Sequence, residues 1–268
     1  MNKQFSDFEK QQLLTILYVH KICAPGLDRL VLRIAESISS EAERSSALLM
    51  ASYYLASCGS LPLADEVAHG KLQGHASAAA LASIGGLIAD TNPDQAARYL
   101  EEAEQFLSQT DNIDDQAILL QRISQGYLRL RNSTRAREFA NKILPNGDRV
   151  SVLCEIAGSL FKSGEADEAK QTLREARTVI DRAERSELAS ALNDIANVLV
   201  QIDRADEALS TWEEALKFVE ESLDPPKLVL IICKGLASIG QLGRAREVAL
   251  SIQNVARRAQ ALALIDGQ

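Results

Sequence analysis

The sequence predicts an all-α protein, a right-handed α–α superhelix (solenoid) of about six stacked helix-turn-helix repeats with atypical helices at its ends. Three observations carry this. Between Asp148 and Glu221 the chain says nearly the same thing twice: Leu153, Ile156, Ala157, Leu160, Gly164, Ala169, Leu173 and Ala176 recur 39 residues later as Leu192, Ile195, Ala196, Leu199, Asp203, Ala208, Trp212 and Ala215. Within each half the apolar spacing is three or four, the period of one helix face. Aromatic residues are only 4%, and the six prolines fall at turns or helix starts rather than inside the periodic runs. A helical pair this small cannot bury its apolar stripe alone, so it must stack on copies of itself.

Taken in order, Ser6 and Glu9 are spaced as a capping box ahead of Phe8, Leu13, Leu14, Ile16, Leu17 and Val19. A first helix is expected from about Asp7 to Cys23, stopped by Pro25 and Gly26, and a second from Leu27 to Ile38. Residues 1–43 therefore read as N-terminal capping helices and 44–253 as the repeats. Residues 254–268 read as a C-terminal capping helix or the start of a further repeat. The six turns are placed at Gly59, Thr91, Thr134, Gly164, Asp203 and Gly243. Asn92, Pro93 and Asp94 supply a cap, a first-turn proline and a first-turn acid for one second helix. The run Arg135-Ala136-Arg137-Glu138 returns as Arg244-Ala245-Arg246-Glu247, which ties the third unit to the sixth. Pro145-Asn146-Gly147 is expected to be a tight reversal.

A formal charge of −8 argues against binding nucleic acid by phosphate neutralisation. The charge is uneven: residues 161–224 hold 16 acids against 8 bases, whereas 227–268 hold 6 bases against 2 acids. Cys23, Cys58, Cys154 and Cys233 lack the short spacings of a disulfide framework or a zinc site and read as reduced, buried thiols. The apolar run Leu13 to Val19 is too short for a secretory signal and no stretch reaches membrane-spanning length, so a cytoplasmic protein is expected. His20, His69 and His75 lack metal-ligand spacing, and none is read as pairing with a carboxylate on its own helix face. Gly240 and Gly243 read as a turn and helix cap rather than an anion site. Neither a metal nor a cofactor is expected, and no catalytic set stands out.

The pattern Leu153-x-x-Ile156-Ala157-x-x-Leu160, then Ala169-x-x-x-Leu173-x-x-Ala176, resembles the tetratricopeptide repeat, and Ala208, Trp212 and Ala215 fit it again. The resemblance extends over Arg44 to Ile252, with HEAT-like pairing the other reading of such an array. It implies a concave wall lined by first-helix residues: Gln121, Ser124 and Arg131; Ser151, Cys154 and Lys162; Ser190, Asn193, Asn197 and Gln201; Lys234 and Gln241. Asn193 and Asn197 lie one helical turn apart, where their amides could hold an extended peptide. With Lys162 and Lys234 they would form a carboxylate clamp; otherwise they are ordinary polar surface. The resemblance implies a non-enzymatic adaptor or scaffold that takes a peptide segment or partner protein in its groove. A homodimer through the last helix is a further expectation. The alternative is the sensor or regulatory portion of a larger signalling protein.

Overall fold

The computed structural model describes residues 5–24 and 26–267. Among these there are fifteen α-helices and two single 3-10 turns, and no strand. The chain divides into two compact units, Met1–Phe139 and Ala140–Gln268.

The N-terminal unit opens with α1 (Asp7–Val19) and α2 (Leu27–Glu36). Three helical pairs follow: α3 (Glu41–Ser57) with α4 (Leu61–Gly70), α5 (Gly74–Ile88) with α6 (Pro93–Gln105), and α7 (Ile113–Arg129) with α8 (Ser133–Ala140). The capping box at α1 forms as expected: the Glu9 N–H donates to Ser6 Oγ and the Ser6 N–H to Glu9 Oε2. Asn92 likewise caps α6, with Pro93 in its first turn. The first helix ends at Val19, short of the expected Cys23, because Lys21 turns into the left-handed region at φ 47°. Pro25, expected to stop that helix, lies outside the described residues; Gly26 is the N-cap of α2. Both α1 and α2 lean on α3, which in turn packs on α4 and α5, while α5 packs on α6 and α7. First helices thus form one layer, and each unit's second helix backs it.

The C-terminal unit repeats the scheme with α9 (Asn146–Lys162) and α10 (Ala166–Ile180), α11 (Arg185–Gln201) and α12 (Ala205–Leu216), and α13 (Pro225–Ser238) and α14 (Leu242–Leu250). A last helix, α15 (Val255–Asp266), packs on α13 and α14. Here α9, α11 and α13 are the adjoining first helices. The expected reversal at Pro145-Asn146-Gly147 is instead the start of α9, with Pro145 as its N-cap.

Five of the six pairs close through the same turn. A C-cap residue is followed by one left-handed residue and then by the N-cap of the second helix. The left-handed places are Gly59, Arg131, Gly164, Asp203 and Gly240, with φ between 58° and 86°. In each the next N–H bonds five residues back, as in Ser60 to Leu55, Asn132 to Tyr127 and Arg204 to Leu199. That pairing satisfies a carbonyl the helix end would leave open. Thr134 and Gly243 are therefore not the turn residues of the third and sixth units; each lies one helical turn too late. Three of the five places are glycine, the residue for which positive φ is free of steric cost.

The cysteine expectation fails for one pair. Cys23 and Cys58 form a disulfide, with Cα atoms 5.5 Å apart, joining the segment that follows α1 to the C-cap of α3. Beside it the Tyr54 hydroxyl donates to the Ile22 carbonyl at 2.7 Å. Cys154 and Cys233 are free and buried.

Candidate functional site

In the C-terminal unit the N-terminal halves of α9, α11 and α13 border an open cleft of about 580 Å³. Gly147, Asp148 and Ser151 come from α9, Ser186, Glu187, Ser190 and Ala191 from α11, and Lys227, Leu228 and Ile231 from α13. Asp224 and the fully exposed Leu223 complete the rim. Several of its acids are already engaged by the helix starts. Glu187 Oε2 accepts from the N–H groups of Gly147 at 3.0 Å and Glu184 at 3.2 Å, which seats α11 on α9. Asp224 accepts from Arg257 at 2.5 Å, and that guanidinium holds its carboxyl below the usual range.

Deeper in the same wall, Ser151 donates to the carboxylate of Asp194 across α9 and α11. Burial pushes the Asp194 carboxyl up, against the opposing hydrogen bonds from Ser151 and Asn193. Burial also raises the thiols of Cys154, well above its ordinary value, and Cys233, to about 11, so both stay protonated at neutral pH.

The residues expected to line the wall divide. Two of them face inward. Ser124 is fully buried and donates to the Ala136 carbonyl at 2.8 Å. With the turn at Arg131 rather than Thr134, it occupies the small inward place that Ala157 and Ala196 hold in later units. Asn193 is 5% exposed, and its Oδ1 accepts from the Trp212 indole N–H at 3.1 Å. Both are internal ties, as buried polar groups must be. Cys154 is buried too. Gln121 and Asn197 are half-buried, while Lys162, Gln201, Lys234 and Gln241 are exposed. Gln201 folds over Gly158, where a Cβ would lie 2.9 Å from its Oε1. Arg131 is exposed in its left-handed turn. The cleft residues Asp148, Glu187, Lys227 and Ile231 went unnoticed in the sequence. Their signal is positional: they sit in the first two turns of first helices.

In the N-terminal unit the corresponding face carries a smaller notch, of about 200 Å³, between α5 and α7 with Tyr18 and Tyr53 at one side. Arg122 donates from Nη1 to Ser83 Oγ at 2.8 Å, and its Cζ lies 5.2 Å from the centre of the Tyr53 ring. On the opposite face His69 of α4 is clamped: Nε2 meets Glu102 at 2.8 Å and Nδ1 meets Asp65 at 3.2 Å. Asp65 is four residues before His69 on the same helix, so this histidine does pair with a carboxylate on its own face. The Glu102 hydrogen bond, with help from Asp65, holds the imidazole pKa above its ordinary value. Asp65 also accepts from the Tyr99 hydroxyl at 2.7 Å.

Residues 148–221 match the family model of the tetratricopeptide repeat. The chain is thus an all-α helical-repeat protein whose repeats at residues 148–221 are tetratricopeptide-like, and such repeats generally mediate contacts between proteins. No curated protein matches it. Among solved structures it is similar to the crystal structure of Ton1535 from Thermococcus onnurineus NA1, at 14% identity. That match covers 96% of this chain and 89% of the other, with a TM-score of 0.39.

Proposed function

We propose that this protein is a non-enzymatic adaptor that holds a peptide segment of a partner protein along the wall of first helices α9, α11 and α13. The observation that supports this most directly is the open cleft those helices border. It sets serine hydroxyls, the Lys227 ammonium and helix-start acids around apolar side chains of Ala191, Leu228 and Ile231. A mixed, elongated surface of this kind suits a chain whose side chains alternate between polar and apolar contacts. Asn197, Lys162 and Lys234 extend the same helices and serve as its flanking contacts; Asn193 does not, being committed to Trp212. No helix among the described residues is long and apolar enough to cross a membrane. The Cys23–Cys58 disulfide supports work outside a reducing cytosol, in place of the cytoplasmic location expected from sequence.

The test is a peptide array probed with the purified chain, followed by solution affinities for the best binders. Ser190→Arg and Ile231→Arg place bulk on exposed positions of the cleft. Loss of binding with helicity unchanged supports the reading. Undiminished binding by both variants moves the site elsewhere, and a measurable turnover by the purified chain without any peptide ligand ends it.

A further inference from the structure

The notch of the N-terminal unit has a chemistry of its own. Arg122 and Arg129 lie two turns apart on one face of α7, and among the described residues no aspartate or glutamate lines the space they border. Its floor is low because Gly86 and Gly126 meet there, a Cβ on the first lying 3.5 Å from the Cα of the second. In a chain of formal charge −8, an acid-free cationic recess stands out.

Several arginines elsewhere in the chain are met by carboxylates: Arg135 by Glu104, Arg177 by Glu214, Arg185 by Glu221 and Arg244 by Glu213. Arg122 and Arg129 make no ion pair among the described residues. Arg122 rests on Tyr53 and bonds Ser83, and its Nε–H is buried without an acceptor. Among the described residues Arg129 donates to the Gly86 carbonyl, at 3.5 Å. The planar fork of a guanidinium matches the two oxygens of a carboxylate, and here two guanidinium groups border one recess. At the rim Tyr18 and Leu87 are 40% and 39% exposed, so apolar surface flanks the charge.

We propose that this notch takes an aspartate or glutamate side chain of the bound partner, within a stretch whose neighbouring residue is apolar and lies on Leu87 and Tyr18. The inference rests on the peptide-binding reading and names the chemistry of a second contact, in the other unit.

The probe is a randomised library of decapeptides, acetylated and amidated at their ends, selected on the full chain. Binders are expected to carry an internal Asp or Glu beside an aliphatic residue. Changing that acid to its amide and changing Arg122→Gln should each weaken binding about tenfold or more. Making both changes should add little beyond either, the signature of a direct pair. Leu87→Glu, on an exposed position, puts a carboxylate at the notch and should also block binding if Arg122→Gln proves unstable. Binders without an acid, additive losses, or tighter binding of resynthesised peptides that carry phosphoserine in place of the acid or a free C-terminus would overturn the assignment. Peptides that respond to Ile231→Arg but not to Arg122→Gln would sink this inference alone, and a library with no binders would sink both.

Discussion

The Trp212 indole fills the space where a side chain on Gly235 would begin: a Cβ there would lie 2.7 Å from Cε2 and 2.8 Å from Cη2. Leu100 and Gly126 repeat the relation three units earlier, with a Cβ 3.0 Å from Leu Cδ1. In both, a bulky residue of one second helix presses onto a bare turn of the next first helix. The missing side chain sets how closely successive pairs approach.

Gly235→Ala should therefore destabilise the C-terminal unit by about 1–3 kcal/mol, the usual penalty for overpacking a filled core. Trp212 is the single tryptophan and fully buried, so its emission during urea unfolding reads this region directly. An unchanged midpoint would mean that α13 slides to make room.

Opening the Cys23–Cys58 bond should cost the N-terminal unit about 3–4 kcal/mol, from loop-closure entropy over a separation of 35 residues. Thermal unfolding with and without a reducing agent tests this. The Cys23→Ser, Cys58→Ser double variant should melt alike in both conditions, at the reduced parent's temperature.

The His69 clamp gives a pH dependence of known sign. The folded imidazole has its pKa raised, first by the Glu102 hydrogen bond. Its contribution to stability is full below the unfolded value of about 6.5 and is lost as pH rises through the folded value. The stability gap between the parent and Glu102→Gln should shrink over that window. In an NMR titration the His69 midpoint should fall toward the ordinary value in Glu102→Gln; no movement would dismiss the clamp as its cause.

Asp194 acts in the opposite sense from the usual carboxylate. Burial raises its folded pKa above the unfolded value of about 3.9, so stability is lost as pH rises from there through the folded value. Asp194→Asn keeps an acceptor for Ser151 and should be more stable than the parent at pH about 7, with the gap closing near pH about 4. A variant less stable than its parent at neutral pH would show that the charge itself is needed.

How legible these features were varies with the kind of pattern behind them. Helical pairing could be read because three-and-four spacing is a property of the chain itself. Register was harder. Moving a helical pattern by one turn leaves the same face apolar, so Thr134 and Gly243 fitted the turn as well as Arg131 and Gly240 did. That slip of three put Ser124 on the wall instead of inside. Asn193 had a readable signal that was missed: Trp212 brings an indole N–H that needs an acceptor when buried. Asp65 and His69, four apart on one helix, were readable in the same way. Glu102 was not, since it meets His69 only once two separate pairs are stacked. The cleft acids and the Cys23–Cys58 bond are likewise products of stacking, which spacing along the chain does not encode.

The disulfide also changes how the N-terminal unit can come apart. In a row of helical pairs, each supported mainly by its neighbours, structure is lost from the ends inward. In the N-terminal unit the segment after α1 is stitched to α3. Loss of order at α1 is then tied to loss of order at α3, and a protease acting on the native protein should release α1 only after the bond is reduced, as a seam must be unpicked before its cloth parts.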